Sequence, residues 1–263
     1  MELFVRAILF DSDGTLLDST PAVRATILRW CTQQGVDPRA FAAAQHGTRT
    51  VDLLRRFMQV PKKGSECTEE ELREEVERIE RSVVKTAEEM RERGEGGGIV
   101  QLPGVAQLLE RLREGGATWG VVTSGTSTHA FPALDVAGIG HNSPSVPFVV
   151  TGEQVKEGKP HPEPYLAGLA ELKKLVPDIR PEEVLVFEDA PAGLQSGHAA
   201  GCLVLGVCTG PVSEEEVLQA AEEIDSALVV RDLRSVDIVA CDENTIKLRI
   251  SPLVAARSAV SDK

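Results

Sequence analysis

One short segment near the start of the chain, RAILFDSDGT at residues 6–15, determines the architecture that we expect. The run that ends at Phe10 is apolar after its first residue and stops at Asp11, which is typical of a buried strand of a parallel sheet. Two aspartates, a glycine and two hydroxyl side chains then follow directly. Because doubly wound sheets bind ligands at the carboxyl ends of their strands, this segment predicts both a fold and a site.

Similar apolar runs recur along the chain and alternate with segments of helical periodicity. The predicted strands cover residues 6–10, 118–123, 148–151, 184–188, 203–207 and 228–230. The predicted helices between them cover residues 105–114, 126–137, 164–175, 190–200 and 213–224. Strands that alternate with helices indicate an α/β fold, here a Rossmann-like, doubly wound parallel sheet with helices on both faces.

A helical insertion interrupts this alternation after the first strand. Residues 21–34 and 68–93 have helical patterns, and Thr68 with Glu71 forms the signature of a capping box. The glycine-rich run at 94–98 predicts the return linker. We therefore expect a core formed by residues 1–17 and 97–263 and an inserted helical domain at residues 18–96. Near the C-terminus, residues 238–250 suggest a β-hairpin.

The charge of the chain limits its partners. The 263 residues carry a net charge of −13, and aromatic residues make up 4%. Residues 64–96 contain twelve glutamates against six lysines and arginines, which we interpret first as a solvated helix face. An acidic chain with few aromatic side chains is a poor partner for nucleic acid or an anionic membrane, so we expect neither.

Cysteine usage and the N-terminus indicate the compartment. The five cysteines are odd in number, and their spacing matches neither paired metal-binding cysteines nor a disulfide framework. The first residues lack the pattern of a signal peptide, and no apolar run is long enough to span a membrane. These features favour reduced thiols in the cytoplasm.

Polar residues follow four of the predicted strands, where the strands end. These are Asp11 and Asp13, then Thr123 with Ser124 and Gly125, then Lys159, and finally Glu188 with Asp189. Each feature has an ordinary alternative: aspartates that form a turn, a hydroxyl that caps a helix, or an idle surface lysine. Two acids at the end of an apolar strand are costly unless a cation meets them, and oxygen ligands of this kind suit Mg²⁺.

In this order, the four features resemble the motifs of the haloacid dehalogenase-like phosphatases. The match covers about residues 5–230, and the helical insertion resembles the C1-type cap domain of this family. Four blocks resemble the fungal glycerol-phosphate phosphatases and 2-deoxyglucose-6-phosphate phosphatases. They are HGTRT at residues 46–50, TSGT at residues 123–126, GKPHPEPY at residues 158–165 and FEDAPAG at residues 187–193.

The resemblance implies a role for each acid. Asp11 would be the nucleophile, and Asp13 would protonate the leaving alkoxide and then activate water. The Asp11 side chain, the Asp13 backbone carbonyl and Asp189 would hold Mg²⁺, with Glu188 near or behind the ion. An acid role for Asp13 at neutral pH requires a pKa raised above its usual value of about 3.9.

The same resemblance implies which groups bind the phosphoryl group. Thr123, Ser124 and Gly125 would form the anion seat, and Lys159 would bridge the phosphate and Asp11. In the cap, Arg49 with His46 is the candidate for substrate binding, and the alternative for Arg49 is a salt bridge to the acidic helices. We expect no site role for His129, His141 and His198.

Three hypotheses of function follow from this resemblance. The first is a Mg²⁺-dependent phosphatase that hydrolyses a small polyol or sugar phosphate monoester through an aspartyl-phosphate intermediate. The second is a sugar phosphomutase of the β-phosphoglucomutase type, and the third is a non-catalytic, metal-binding regulatory protein. The expected partner is a small phosphate ester, and the expected state is a monomer, with an oligomer as the alternative.

Overall fold

A computed structural model describes most of the chain. The described residues are 1–45, 48–58, 68–95, 98–140, 146–226 and 228–253. No helix in these ranges is long and apolar enough to cross a membrane.

The core is a six-stranded parallel sheet, as predicted. Its strands lie in the order β6-β5-β2-β7-β8-β9. They are β2 (Ala7–Phe10), β5 (Thr118–Val122), β6 (Val149–Val150), β7 (Val184–Glu188), β8 (Leu203–Val207) and β9 (Val229–Val230). The strand β2, which Asp11 and Asp13 follow, lies near the centre of the sheet between β5 and β7. Its carboxyl end therefore lies beside the ends of both neighbours.

Helices cover both faces of this sheet. They are α5 (Val105–Glu114), α6 (Ser127–Val136), α7 (Glu163–Leu175), α8 (Pro191–Ala199) and α9 (Glu214–Glu223). Within β2, Ile8 and Phe10 belong to one apolar cluster, whereas Ala7 and Leu9 belong to the other. All four side chains have no exposed surface, which explains why the strand is a continuous apolar run without alternation.

Within the described residues, four helices lie between two short linker strands and form the insertion. They are α1 (Thr20–Gln34), α2 (Pro38–Gln45), α3 (Thr50–Phe57) and α4 (Glu69–Glu92). The linkers β3 (Leu17–Asp18) and β4 (Val100–Gln101) pair antiparallel, so the chain leaves and re-enters the core at one place. The insertion has its own apolar cluster, and α4 begins with the predicted capping box at Thr68. We propose that residues 18–96 form a cap domain and that residues 1–17 and 97–263 form the core.

A second, antiparallel sheet packs beside the core. The predicted C-terminal hairpin is present as β10 (Val236–Cys241) and β11 (Ile246–Ile250). A strand that we did not predict, β1 (Glu2–Val5), pairs with β11. Four cysteines in the described ranges, Cys31, Cys202, Cys208 and Cys241, are free thiols, and Cys67 lies outside those ranges.

Candidate active site

The predicted polar residues converge on one cavity between the carboxyl edge of the sheet and the cap. The cavity has a volume of about 360 Å³. From the core, its lining includes Asp11, Asp13, Thr123, Ser124, Gly125, Glu188 and Asp189. From the cap, its lining includes Val23, Arg24, Ile27, Thr50, Leu53, Ile79 and Glu80. The order of strands in the sheet therefore brings together residues that are far apart in the sequence.

Lys159 joins two of these acids. Its Nζ donates hydrogen bonds to Asp11 Oδ1 at 2.6 Å, to Glu188 Oε1 at 2.5 Å and to the Val122 carbonyl at 3.1 Å. The Lys159 side chain is only 1% exposed. Burial opposes its charge, but the carboxylates of Asp11 and Glu188 outweigh that effect and raise the pKa of Lys159. The lysine is therefore charged and held directly beside Asp11.

Tyr165 contacts both Glu188 and Lys159 and so helps to hold this pair in place. Its hydroxyl donates to Glu188 Oε1 at 2.6 Å, and the Lys159 ammonium lies 5.1 Å from the centre of its ring. Glu188 thus serves mainly to hold Lys159. Tyr165 closes the GKPHPEPY block, but the motif alone assigned it no role.

The acids outnumber the cation beside them. Oxygens of Asp11, Glu188 and Asp189 lie within 4.8 Å of one another, and all three side chains are buried. Burial, reinforced by Glu188, raises the pKa of Asp11 to about 7, and burial also raises the pKa of Asp189. Three clustered carboxylates beside one ammonium are the donor set of a hard cation, so these residues fit Mg²⁺.

Two glycines allow the Asp189 carboxylate to lie against the backbone. A Cβ atom on Gly14 would lie 2.2 Å from Asp189 Oδ2, and one on Gly210 would lie 1.7 Å from it. Gly14 also has a φ of 98°, which disfavours any other residue. A side chain at either position would therefore displace Asp189.

Asp13 has a different environment from the clustered acids. Its Oδ1 accepts a hydrogen bond from the Ser19 hydroxyl and lies 2.9 Å from His129 Nε2. Burial opposes the charged form of both side chains, but their attraction lowers the pKa of Asp13 and raises the pKa of His129 to about 9. The expectation of a raised pKa for Asp13 is therefore wrong, because the attraction of His129 lowers the pKa of this carboxyl group instead.

The prediction that His129 has no site role is also wrong. The side chain is buried in the cavity wall and contacts Asp13. The sequence did contain a signal. His129 falls in the first turn of the helix that follows the Thr123 loop, and a residue there lies at the same edge of the sheet. The same prediction applies to His141, which lies outside the described residues.

Arg49 connects the cap to the core. Its Nε and Nη2 donate to Asp52 at 2.7 Å and 3.1 Å, and its Nη1 donates to the Val155 carbonyl at 2.9 Å. Asp52 lies in the first turn of α3, directly after Arg49, so the alternative of a salt bridge to α4 does not describe this contact. Arg49 is absent from the cavity lining among the described residues, and His46 lies outside them.

Glu80 is a buried carboxylate that the sequence analysis missed. It extends from α4 and is only 4% exposed. It accepts hydrogen bonds from the Thr50 hydroxyl at 2.9 Å, from the Thr126 N–H at 3.2 Å and from the Thr126 hydroxyl. Thr126 is the N-cap residue of the core helix α6. Glu80 therefore joins the cap to the end of the predicted phosphate loop. Burial raises the pKa of Glu80, although His129 and the threonine hydrogen bonds oppose the shift.

A raised pKa makes the stability contribution of Glu80 dependent on pH. A carboxyl group whose folded pKa lies above its ordinary value of 4.5 stabilises the fold when protonated, and loses that contribution as the pH rises through the folded pKa. We therefore expect the thermal stability of Glu80→Gln, relative to the wild type, to increase as the pH rises from about 4.5 toward neutral pH. His129 stays charged across this range, since its pKa is about 9.

The measurement is the difference in Tm between variant and wild type at several pH values. Glu77→Gln is the matched control, because Glu77 lies on the same helix but is exposed and pairs with Arg81. Its Tm difference should not change with pH. A Tm difference for Glu80→Gln that falls as the pH rises would contradict the raised pKa.

The structure defines an α/β fold in which an acidic edge of the parallel sheet lies beneath a helical insertion. The sequence model of haloacid dehalogenase-like hydrolases matches residues 5–201. The chain belongs to this family of hydrolases, which confirms the resemblance drawn from the motifs.

Named relatives agree with this assignment. Hexitol phosphatase A of Escherichia coli is 39% identical over 77% of this chain and 82% of its own length. Glycerol-1-phosphate phosphohydrolase 2 of Saccharomyces cerevisiae is 34% identical over 80% of this chain and 77% of its own length. A solved structure of CbbY from Rhodobacter sphaeroides, a mutant form in complex with xylulose-1,5-bisphosphate, has a TM-score of 0.69 and 21% identity. It is matched over 90% of this chain and 97% of that one, and it supports the fold alone.

Proposed function

We propose that the chain is a Mg²⁺-dependent phosphatase that hydrolyses a small polyol or sugar phosphate monoester through an aspartyl phosphate on Asp11. The observation that carries this proposal is the position of Asp11, whose carboxylate lines the cavity while its Oδ1 lies 2.6 Å from the charged Lys159. A carboxylate can attack an anionic phosphate only where cations offset the repulsion. Lys159 supplies one such cation.

The Asp11 side chain, the Asp13 backbone carbonyl and Asp189 would hold the Mg²⁺, with Glu188 near or behind the ion. Bound there, the ion would supply positive charge to the phosphoryl oxygens. The Thr123 hydroxyl accepts a hydrogen bond from the Gly125 N–H at 3.1 Å, which leaves its own proton free to be donated to the phosphoryl group. Ser124 and Gly125 complete this loop at the edge of the cavity.

The chemistry proceeds in two displacements at phosphorus. Asp11 forms a bond to phosphorus as the bond to the leaving oxygen breaks, and water later forms the second bond as the Asp11 oxygen departs. The Asp13–His129 pair holds one proton between its members, so it can deliver that proton to the leaving alkoxide. Asp13 then takes a proton from the attacking water, which restores the pair.

The substrate class rests on the size of the cavity and on the named relatives. A volume of about 360 Å³ lies at the small end of ligand pockets, which range over roughly 300–1,000 Å³. The relatives above are named for the phosphates of a hexitol and of glycerol. We therefore propose a polyol or sugar of about this size as the leaving group.

The test is a panel of glycerol phosphates, hexose 6-phosphates, hexitol phosphates and ketose phosphates, scored by kcat/KM from released phosphate. Hydrolysis that requires Mg²⁺ and stops on chelation supports the proposal. Incubation with a hexose 1-phosphate separates the phosphomutase hypothesis, because a mutase yields the isomeric hexose phosphate and little inorganic phosphate. No hydrolysis across the panel with Mg²⁺ present would overturn the proposal.

Metal binding has a readout that does not depend on activity. We expect Mg²⁺ at about a hundred times its Kd to stabilise the fold by about 2.7 kcal/mol, which raises the Tm by several degrees. Asp189→Asn should lose most of this shift, because it removes a buried ligand from the cluster. Asp178→Asn, which changes an exposed carboxylate, is the control and should keep the shift. Equal Mg²⁺ shifts in the two variants would place the ion elsewhere.

A further inference from the structure

Glu80 differs from the other acids of its helix. The helix α4 is rich in glutamate, but within the described part of the chain Glu80 is its only carboxylate among the cavity-lining residues. It reaches the cavity because it follows Ile79 on the face of α4 that packs inward with Val76 and Val83. A charged residue on an otherwise apolar face is costly, which points to a role beyond packing.

The acceptor capacity of Glu80 is only partly used. A carboxylate offers about four lone-pair sites, and Thr50 and Thr126 together donate three hydrogen bonds to it. One site therefore remains for a donor that enters the cavity. A substrate hydroxyl is such a donor, whereas a second carboxylate is not.

The charge near Glu80 also bears on what the cavity admits. His129 also lines the cavity, but its Nε2 pairs with Asp13 Oδ1 at 2.9 Å. Arg24 is the other cationic side chain among the described lining residues, and it is exposed to solvent, which weakens its effect. The buried charge of Glu80 is screened much less, so a like charge placed beside it is strongly disfavoured.

We propose that Glu80 determines specificity for the leaving group: it accepts a hydroxyl of a neutral polyol or sugar and rejects esters whose leaving group carries a carboxylate. This inference rests on the proposed phosphatase function. On this inference, the cap selects substrates both by attracting a hydroxyl group and by repelling a carboxylate. It also gives a reason for one acidic side chain to face the cavity while the remainder of the α4 glutamates do not line it.

The experiment compares two small esters that differ in the charge of the leaving group, glycerol 3-phosphate and phosphoglycolate. The wild type should favour glycerol 3-phosphate by kcat/KM. Glu80→Gln should shrink this preference by about tenfold or more, through a gain on phosphoglycolate and a loss on glycerol 3-phosphate. Glu80→Asp keeps the charge and should keep most of the preference, and Glu77→Gln should match the wild type on both esters.

A role only in holding the cap against the core would lower kcat/KM for both esters by the same factor. An unchanged ratio in Glu80→Gln would therefore overturn the inference while the proposed function stands. Absence of hydrolysis of any ester by the wild type would overturn both. Glu80→Met is a second neutral variant of similar size, and the inference requires it to shift the ratio in the same direction.

Discussion

Asp11→Asn abolishes phosphate ester hydrolysis, with a loss of kcat of roughly 10⁴–10⁶-fold, and it does so in a protein that folds. The amide has nearly the shape of the carboxylate, but it cannot form the bond to phosphorus. Lys159 keeps its hydrogen bond to Glu188 in the variant, so the remainder of the site stays ordered. The measurement is phosphate release with Mg²⁺ and a generic aryl phosphate, beside circular dichroism of the variant.

The same substitution raises the thermal stability of the metal-free protein. Burial and the neighbouring Glu188 raise the pKa of Asp11 to about 7, which shows that its charge is unfavourable in the fold. Removing that charge relieves the repulsion, so the Tm rises while activity is lost, as expected where function needs a destabilised site. Asp178→Asn serves as the control with wild-type activity. A Tm below the wild-type value would show that the ion pair with Lys159 outweighs the repulsion.

Much of the site could be predicted because its residues follow strands directly. Asp11 and Asp189 lie where apolar runs stop, and parallel pairing of β2 with β7 then brings them together. The six strands and the five helices of the core fall within one residue of their predicted bounds. Short apolar runs that alternate with helical periodicity carry this information locally.

The cap was harder to predict, because its contacts depend on tertiary packing. Glu80 accepts a hydrogen bond from Thr126, which lies 46 residues away in the sequence. In the local sequence, only its place between Val76 and Val83 on the apolar face distinguishes it from the neighbouring glutamates. The periodicity of α4 places Glu80 on the apolar face, but the high glutamate content of the segment predicted a solvated helix face. Arg49 shows the converse case, since a motif suggested a ligand and the structure pairs it with Asp52.

Lys159→Met is the substitution with the largest expected effect on stability. It leaves Asp11, Glu188 and Asp189 buried together without their cation, and removal of one partner from a buried ion pair costs about 3–5 kcal/mol. For a chain of this size the Tm should fall by roughly 10 °C. Hydrolysis should fall at least about 10³-fold, because the repulsion between Asp11 and the phosphate is no longer offset.

The effect of Mg²⁺ on the Tm provides a second test of this prediction. Because the ion would supply positive charge to the same cluster, Mg²⁺ should raise the Tm of Lys159→Met by more than it raises the Tm of the wild type. Lys156→Met is the matched control, since Lys156 lies exposed in the same loop and should leave both stability and activity unchanged. If Lys159→Met keeps the wild-type Tm, the three carboxyl groups must take up protons when the lysine is absent. The cluster would then not need a cation to balance its charge. The assignment of Lys159 as the group that offsets the repulsion between Asp11 and the phosphate would fail.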